Sequence, residues 1–357
     1  MARTREPLLE KAIKEGRKAK PYPLRNETGI PDICVQYCED KGAEYPVHAP
    51  NTYSVTSLKK SYKEYLFNKF LADEAGRDVQ DLFPSADGTA VHDALQLTAL
   101  KRPERYIPEE RINVVFVNAF VDELGRHIED LTLSGEYDCY DKKESQLNDY
   151  KNTKQSVIDK NFSGRSNEIE LQLSLYSWLF KWKYHFYPKK HAIIARAKDH
   201  SKVKQMAMNS DKHACQVKNY EITDALRKHY VEFAKDKMVN MYLMEHGLMA
   251  VPDCTPEETW REDAFIVSKP VDMDALSKGD GYKPPKAMKV CETYDDARAW
   301  FLTNNGTGKG YRIYRRYSEP IKCRFYCQFR DICNQYKEKE STHPAFYEDV
   351  TDGDMPF

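Results

Sequence analysis

Asp138, Asp149, Lys151, Gln172 and Tyr176 follow one another along the chain and are the residue types that phosphodiester hydrolysis requires. The reaction needs a nucleophilic water and neutralised charge on the phosphate oxygens, and a divalent metal held by carboxylates supplies both. Hard ions such as Mg2+ and Mn2+ prefer oxygen ligands. Asp138 closes one predicted strand and Asp149 lies on the next, so pairing as a hairpin brings the carboxylates together. Lys151 stands two residues beyond Asp149 and shares its face of the strand; its ammonium is suited to orient the water or stabilise the transition state. Alone, D-x-K is a weak signal. Asp141 with Lys143 is a second match, set aside because it falls in the predicted turn DKKESQ. Gln172 and Tyr176 are one helical turn apart and face the same way, as a tyrosine on an ordinary amphipathic stripe also does. His92 lies beside the apolar stripe of its helix, where a lone histidine is more often structural than a ligand.

A second cluster lies near the C-terminus. Cys323, Cys327 and Cys333, in CRFYCQFRDIC, offer three soft ligands on a short tether. One more distant ligand completes a tetrahedral zinc site or a [4Fe–4S] cluster. Against this stands the plain reading of buried or idle thiols. Cys139, Cys215 and Cys291 sit in predicted strands or helical surroundings and read as ordinary thiols.

These residues need elements to position them. A helix capped by Thr56 or Ser57 carries Leu58, Tyr62, Tyr65, Leu66 and Phe70 on one face. Gly88 precedes a second helix, with Val91, Ala94, Leu95 and Ala99 as its stripe. Residues 112–121 read as a strand, and 128–140 alternate, with Leu131, Leu133, Gly135 and Tyr137 on one side. A short strand follows at 147–151, then a helix at 168–182, a buried strand at 192–197 and a helix at 219–247. Beyond these come a strand, a helix capped by Thr293 with Asp296, and the cysteines. This order predicts an α/β core with a mixed central sheet flanked by helices.

The chain has 357 residues, 41% hydrophobic and 31% charged, enough for one large domain or two modest ones. Lys and Arg number 55 against 56 Asp and Glu, a net charge of -1, so any case for nucleic acid rests on local patches. Residues 181–204 interleave eight Lys/Arg with aromatics and contain a single acid, Asp199; YRIYRRY near the cysteines has the same character. Basic groups bind phosphates and aromatic faces stack on unpaired bases, although a solvated charged face has the same composition. The sequence shows neither an apolar run long enough to span a bilayer nor the apolar stretch of a secretory signal. The expected setting is therefore the cytoplasm, where cysteines serve as thiols or ligands.

Taken together, GTAVHDALQ, GEYDCY, NDYKNTK and QLSLY resemble the RecB-like branch of the PD-(D/E)XK nuclease superfamily, over roughly residues 52–340. The resemblance implies that His92, Asp138 and Asp149, with the backbone carbonyl of Tyr150, hold Mg2+ or Mn2+. Lys151 is then the catalytic lysine, and Gln172 and Tyr176 position it and the DNA strand. The C-terminal cysteines resemble those of the iron–sulfur subgroup, which includes AddB and the CRISPR-adaptation exonucleases. There they staple the domain end to a cysteine before the histidine motif. This chain departs from that pattern, because SLKKSYKEY offers only Ser61 at the matching place. The remaining ligand falls to Cys254, with Cys34 and Cys38 as alternatives; the segment around Cys254 and WREDAFIV looks like an element of phage-encoded members. The implied organisation is an N-terminal extension (1–50), a nuclease core (51–250), a cysteine-bearing segment packed on it (251–340) and an acidic flexible tail (341–357). The tail, FYEDVTDGDMPF, resembles the acidic tip of bacterial single-stranded-DNA-binding proteins. It suggests docking to replication or recombination proteins, or competition with DNA for the basic cleft. The expected activity is DNA exonuclease action in recombination, replication or repair. The alternatives are a non-catalytic DNA-binding module of the same fold and a CRISPR-adaptation nuclease.

Overall fold

The computed structural model describes residues 6–18, 24–42, 49–117, 120–121, 125, 127–162, 167–207, 213–259, 264–270, 287–304, 309–316, 320–342 and 347–351. Among these, the strands of three residues or more are β1 (Thr52–Ser54), β2 (Tyr106–Phe116), β3 (Leu131–Asp141), β4 (Gln146–Thr153), β5 (Lys190–Ala197), β6 (Cys215–Tyr220), β7 (Ala264–Ser268), β8 (Lys289–Cys291), β9 (Arg312–Arg316) and β10 (Tyr347–Asp349). The helices of eight residues or more are α1 (Pro7–Lys14), α2 (Asp32–Gly42), α3 (Tyr62–Leu71), α4 (Phe83–Leu100), α5 (Gln155–Phe162), α6 (Asn167–Tyr184), α7 (Asp224–Glu245), α8 (Tyr294–Thr303) and α9 (Asn334–Thr342). The chain folds into two compact units, each built from non-consecutive segments: residues 23–60 with 76–249, and residues 1–22 with 61–75 and 250–357.

The larger unit is a mixed α/β fold around a six-stranded sheet. β3 is its spine. Along one edge β3 pairs antiparallel with β2, from Tyr106–Asp141 to Phe116–Leu131. Its other edge is shared by β1, parallel at Thr132–Ser134, and β4, antiparallel at Cys139–Asp141. β5 runs parallel to β4 along all eight of its residues, and β6 closes the sheet antiparallel to β5. The alternation read from the sequence holds, with Leu131, Leu133 and Tyr137 buried. α6 lies over this face and is buried along most of its length. Gly135 marks the close approach: a Cβ there sits 2.4 Å from Leu179 Cδ1 and 3.2 Å from the Tyr176 ring. Ile169 and Leu173 of α6 pack with Ile158, Ile193, Ala195, Ala197 and Ile222 in a continuous core.

The smaller unit has an antiparallel sheet in the order β8–β7–β9–β10, with Val267, Cys291, Ala297, Phe301, Ile313 and Val350 packed between it and α8. Thr293 caps α8 as expected, accepting from the Asp296 N–H. A buried ion pair joins three of its segments. Lys63 Nζ on α3 lies 3.0 Å from Glu6 and 2.7 Å from Asp253, and Glu6 accepts from the N–H groups of Asn334 and Gln335 at the start of α9.

Several boundaries differ from the sequence reading. The helix expected from Thr56 or Ser57 onward is two: a turn at Val55–Leu58 capped by Ser54, and α3 capped by Ser61, which accepts from the Glu64 N–H. Two local caps outcompete one long amphipathic stripe. Gly88 lies inside α4, which begins at Phe83 with Pro84 in its first turn. The helix expected over 219–247 begins at Asp224; the preceding residues extend β6 and bond to β5 instead. Of the acidic tail, Tyr347–Asp349 pair with β9 and Val350 is buried, while residues 352–357 lie outside the described residues.

Replacing Gly135 with Ala pushes a methyl against the buried Leu179 and Tyr176. The expected cost is about 1–3 kcal/mol of stability by urea unfolding, and an unchanged unfolding midpoint would contradict this packing.

Candidate active site at a strand fork

The hairpin β3–β4 turns through Asp141–Gln146. There Asp141 Oδ1 accepts from the N–H groups of Lys143 and Glu144, and Arg105 donates twice to Oδ2. Asp141 thus shapes the turn, in keeping with setting the Asp141/Lys143 match aside. The paired register runs from Asp141–Gln146 to Cys139–Asn148 and stops. Asp138 and Asp149 are the first residues beyond that point, so they sit in the fork where the strands separate. The freed backbone N–H of Tyr150 is not left orphaned, because Asp138 Oδ2 accepts it. A carboxylate therefore takes the place of a ladder carbonyl.

Asp149 and Lys151 share a face of β4, and Lys151 Nζ lies 2.6 Å from Asp149 Oδ2. Asp149 is almost fully buried. Gln172, on α6 above the sheet, gathers the rest. Its amide donates to Asp149 Oδ1 at 2.7 Å and to the Tyr176 hydroxyl at 3.2 Å. Its carbonyl oxygen accepts from Lys151 at 3.5 Å and from Lys59 at 3.0 Å. The structure thus brings Asp138, Asp149, Lys151, Gln172 and Tyr176 into one group. His92 on α4 reaches it from the other side, with Nε2 3.1 Å from the Tyr150 carbonyl and Nδ1 3.6 Å from Asp138 Oδ1.

Two members were not among the sequence candidates. Lys59 follows the short turn ending at Leu58 and points its ammonium at Gln172. Nothing local in SLKK distinguishes it from the lysine beside it. Glu109 lies between the register pairs Pro108–Cys139 and Glu110–Tyr137, opposite Asp138. It was hidden because the sequence reading starts that strand at residue 112, whereas β2 begins at Tyr106.

The electrostatics follow from burial of like charges. Desolvation, and then the Asp149 carboxylate, push the Asp138 carboxyl well above the usual range. Desolvation, with Glu136 and Asp138 nearby, lifts Glu109 to about 7. Burial works against the Lys151 ammonium, but Asp149 and Asp138 outweigh it and hold its pKa up. Lys59 goes the other way: burial and then Lys151 push it down. Two carboxyls, an imidazole and the Tyr150 carbonyl suit a hard cation, which would relieve the Asp138–Asp149 repulsion. Among the described residues no three His, Cys, Asp or Glu side chains stand close enough together to enclose an ion; the Asp149 carboxylate is turned to Lys151 and Gln172 instead.

The C-terminal cysteines belong to the smaller unit. Cys254 Sγ donates to the Ser61 hydroxyl at 3.3 Å, and Gln335 brackets the Cys254 backbone, accepting from its N–H and donating to its carbonyl. Burial pushes Cys327 and Cys333 each up to about 12. It pushes the Cys254 thiol up as well, and among the described residues no three cysteines stand close enough together to enclose an ion. Cys34 and Cys38, the alternative partners, lie on α2 in the larger unit, with Cys38 in a core of Val79, Leu82 and Ala86.

No family model and no curated protein matches the chain. Among solved structures, that of SSO0001 is similar over 58% of this chain and 85% of its own, at 16% identity and a TM-score of 0.39. A phage-related exonuclease from Haemophilus somnus 129PT is similar over 60% of this chain and 95% of its own, at 12% identity and a TM-score of 0.29.

Gln172 is the shared hydrogen-bond partner of the group. Gln172→Ala leaves the buried Asp149 and Tyr176 and the half-buried Lys59 short of partners, with an expected loss of about 1–3 kcal/mol in denaturant unfolding. A variant as stable as the parent would show that these bonds do not hold the group together.

Proposed function

We propose that this chain is a Mg2+- or Mn2+-dependent DNA exonuclease of the RecB-like PD-(D/E)XK class, working on DNA ends in recombination, replication or repair, and phage-encoded. The observation that carries the reading is the fork: Asp138 and Asp149 just past the last paired residues, with Lys151 on Asp149 and Gln172 bridging to Tyr176. His92, Asp138, Asp149 and the Tyr150 carbonyl are the residues that would hold the cation, which supplies Lewis-acid stabilisation and an activated water. Lys151 orients the attacking water or offsets charge on the phosphate. Gln172 holds that ammonium through its carbonyl while its amide fixes Asp149, and Tyr176 anchors the amide. Lys59 adds a second positive charge facing the same amide oxygen. No helix among the described residues is long and apolar enough to cross a membrane.

The same reading assigns Cys254, Cys323, Cys327 and Cys333 to a structural [4Fe–4S] cluster, or to zinc, within the smaller unit. Ser61 stands where the resemblance expects a cysteine, and the Cys254 thiol lies against its hydroxyl. A ligand lost at one position is in this way replaced by one from a distant segment. The thiols held protonated by burial would lose their protons on metal binding, so loading is coupled to proton release.

The catalytic proposal is tested with labelled linear DNA and Mn2+. Asp138→Ala and Lys151→Ala should each lose at least about 10²-fold in rate while keeping the circular dichroism of the parent. Undiminished cutting in both sinks it, and binding without cleavage across several metals and DNA ends marks a non-catalytic DNA-binding module. For the cysteines, a brown protein absorbing near ~400 nm identifies iron–sulfur, and a colourless one with stoichiometric zinc identifies zinc. Either signal should fall in Cys254→Ser; metal content unaffected by that change removes Cys254 from the ligand set.

A further inference from the structure

A cleft of about 500 Å³ opens on the larger unit between the C-terminal half of α6, the N-terminal half of α7 and the end of β2. None of the centre's residues lines it. Its floor is aromatic: Phe116 and Trp178 stack with ring planes 4° apart, and Trp182 meets Trp178 edge-on. Trp182 remains 57% exposed, a large apolar surface left in water. The wall is cationic. Tyr187 carries Arg227 at 4.1 Å and Lys181 at 4.4 Å from its ring centroid, which holds both positive groups at the cleft; the Arg227 guanidinium is buried and bonded to Asp224 and the Ile222 carbonyl, whereas Lys181 is exposed. Four cations line the cleft against two carboxylates. Arg227 pairs with Asp224 and Lys235 with Glu232, so Lys181 and Lys228 supply the surplus charge.

We propose that this cleft is a binding site for unpaired, single-stranded DNA, with a base stacked on Trp182 and the backbone phosphates on Lys181 and Lys228. An exposed indole beside surplus ammonium groups has the two components that hold single strands without sequence preference. Duplex DNA does not satisfy it, because its bases are already stacked on one another. The cleft also has a direct structural link to the centre. Trp182 lies ten residues beyond Gln172 on the same rigid helix, about 15 Å along the axis. A strand held at Trp182 is thus held at a fixed offset from Asp149, which makes the cleft a track for the strand entering or leaving the centre. The track role rests on the nuclease reading; the binding does not.

The experiment uses the full chain with EDTA present, so that no cleavage is needed, and a labelled oligothymidylate of about ten nucleotides followed by fluorescence anisotropy. Trp182→Ala should weaken binding about tenfold or more, and Trp182→Phe should recover most of it, since a ring face is retained. Lys228→Glu should weaken binding and flatten its salt dependence. Blunt duplex of equal length should be unaffected by Trp182→Ala. Binding of the oligothymidylate by Trp182→Ala within about twofold of the parent, or equal losses on duplex and single strand, overturns the proposal, as does an oligothymidylate that the parent does not bind at all. A chain that binds through Trp182 but never cuts DNA defeats the catalytic reading and leaves this site standing. One that cuts DNA while indifferent to Trp182 does the reverse.

Discussion

Everything at the centre of the larger unit depends on how two strands part. β3 and β4 stop pairing after Cys139–Asn148, and a backbone N–H that would have gone to the ladder goes to the Asp138 carboxylate. An unpaired buried N–H costs free energy comparable to a lost hydrogen bond, so the fork is stable only if a side chain supplies the acceptor. Asp138 supplies it, and in doing so becomes fixed opposite Asp149. The backbone carbonyl of the same residue, Tyr150, faces His92. The backbone of one residue thereby ties together strand, carboxylate and imidazole.

Burial of charge is the second constraint, and each unit handles it by saturation with partners. In the larger unit, Lys151 has Asp149 and Gln172, and Lys59 has Gln172. The Lys63 ammonium of the smaller unit has Glu6, Asp253 and Gln335. Buried ion pairs seldom add much net stability, but removing one partner is costly. Such pairs therefore act as registers. Lys63 fixes three segments far apart in sequence. Gln172 fixes a helix over the fork, an arrangement possible only because Gly135 lets α6 approach β3 closely.

The elements with strong local signals were legible in advance. The alternation of Leu131, Leu133 and Tyr137, the turn after Asp141, the helix bearing Gln172 and Tyr176, and the cap at Thr293 each follow from a period or a capping residue within a few positions. Legibility failed where two local preferences competed. The stripe from Leu58 to Phe70 reads as one helix, yet Ser54 and Ser61 each cap their own. Residues 219 and 220 read as the start of a helix but close the strand that serves β5 as an edge partner, a demand set by the sheet. The basic strand Arg312–Arg316 and the acidic Tyr347–Asp349 read as separate charged patches, and they pair as neighbouring strands.

By itself, the sequence determined which chemistry was on offer: two carboxylates, a lysine two residues from one of them, a glutamine and tyrosine one helical turn apart, and a run of cysteines. Strand and helix periods fix which side chains share a face, and that information is local. The tertiary structure decided where the strands separate, which far residues answer the buried charges, and which thiol stands beside Ser61. Lys59 and Glu109 join the group only because the sheet and its crossing helix bring them there. Their partners are distant along the chain, and a contact of that kind leaves no periodic trace in the sequence around either residue.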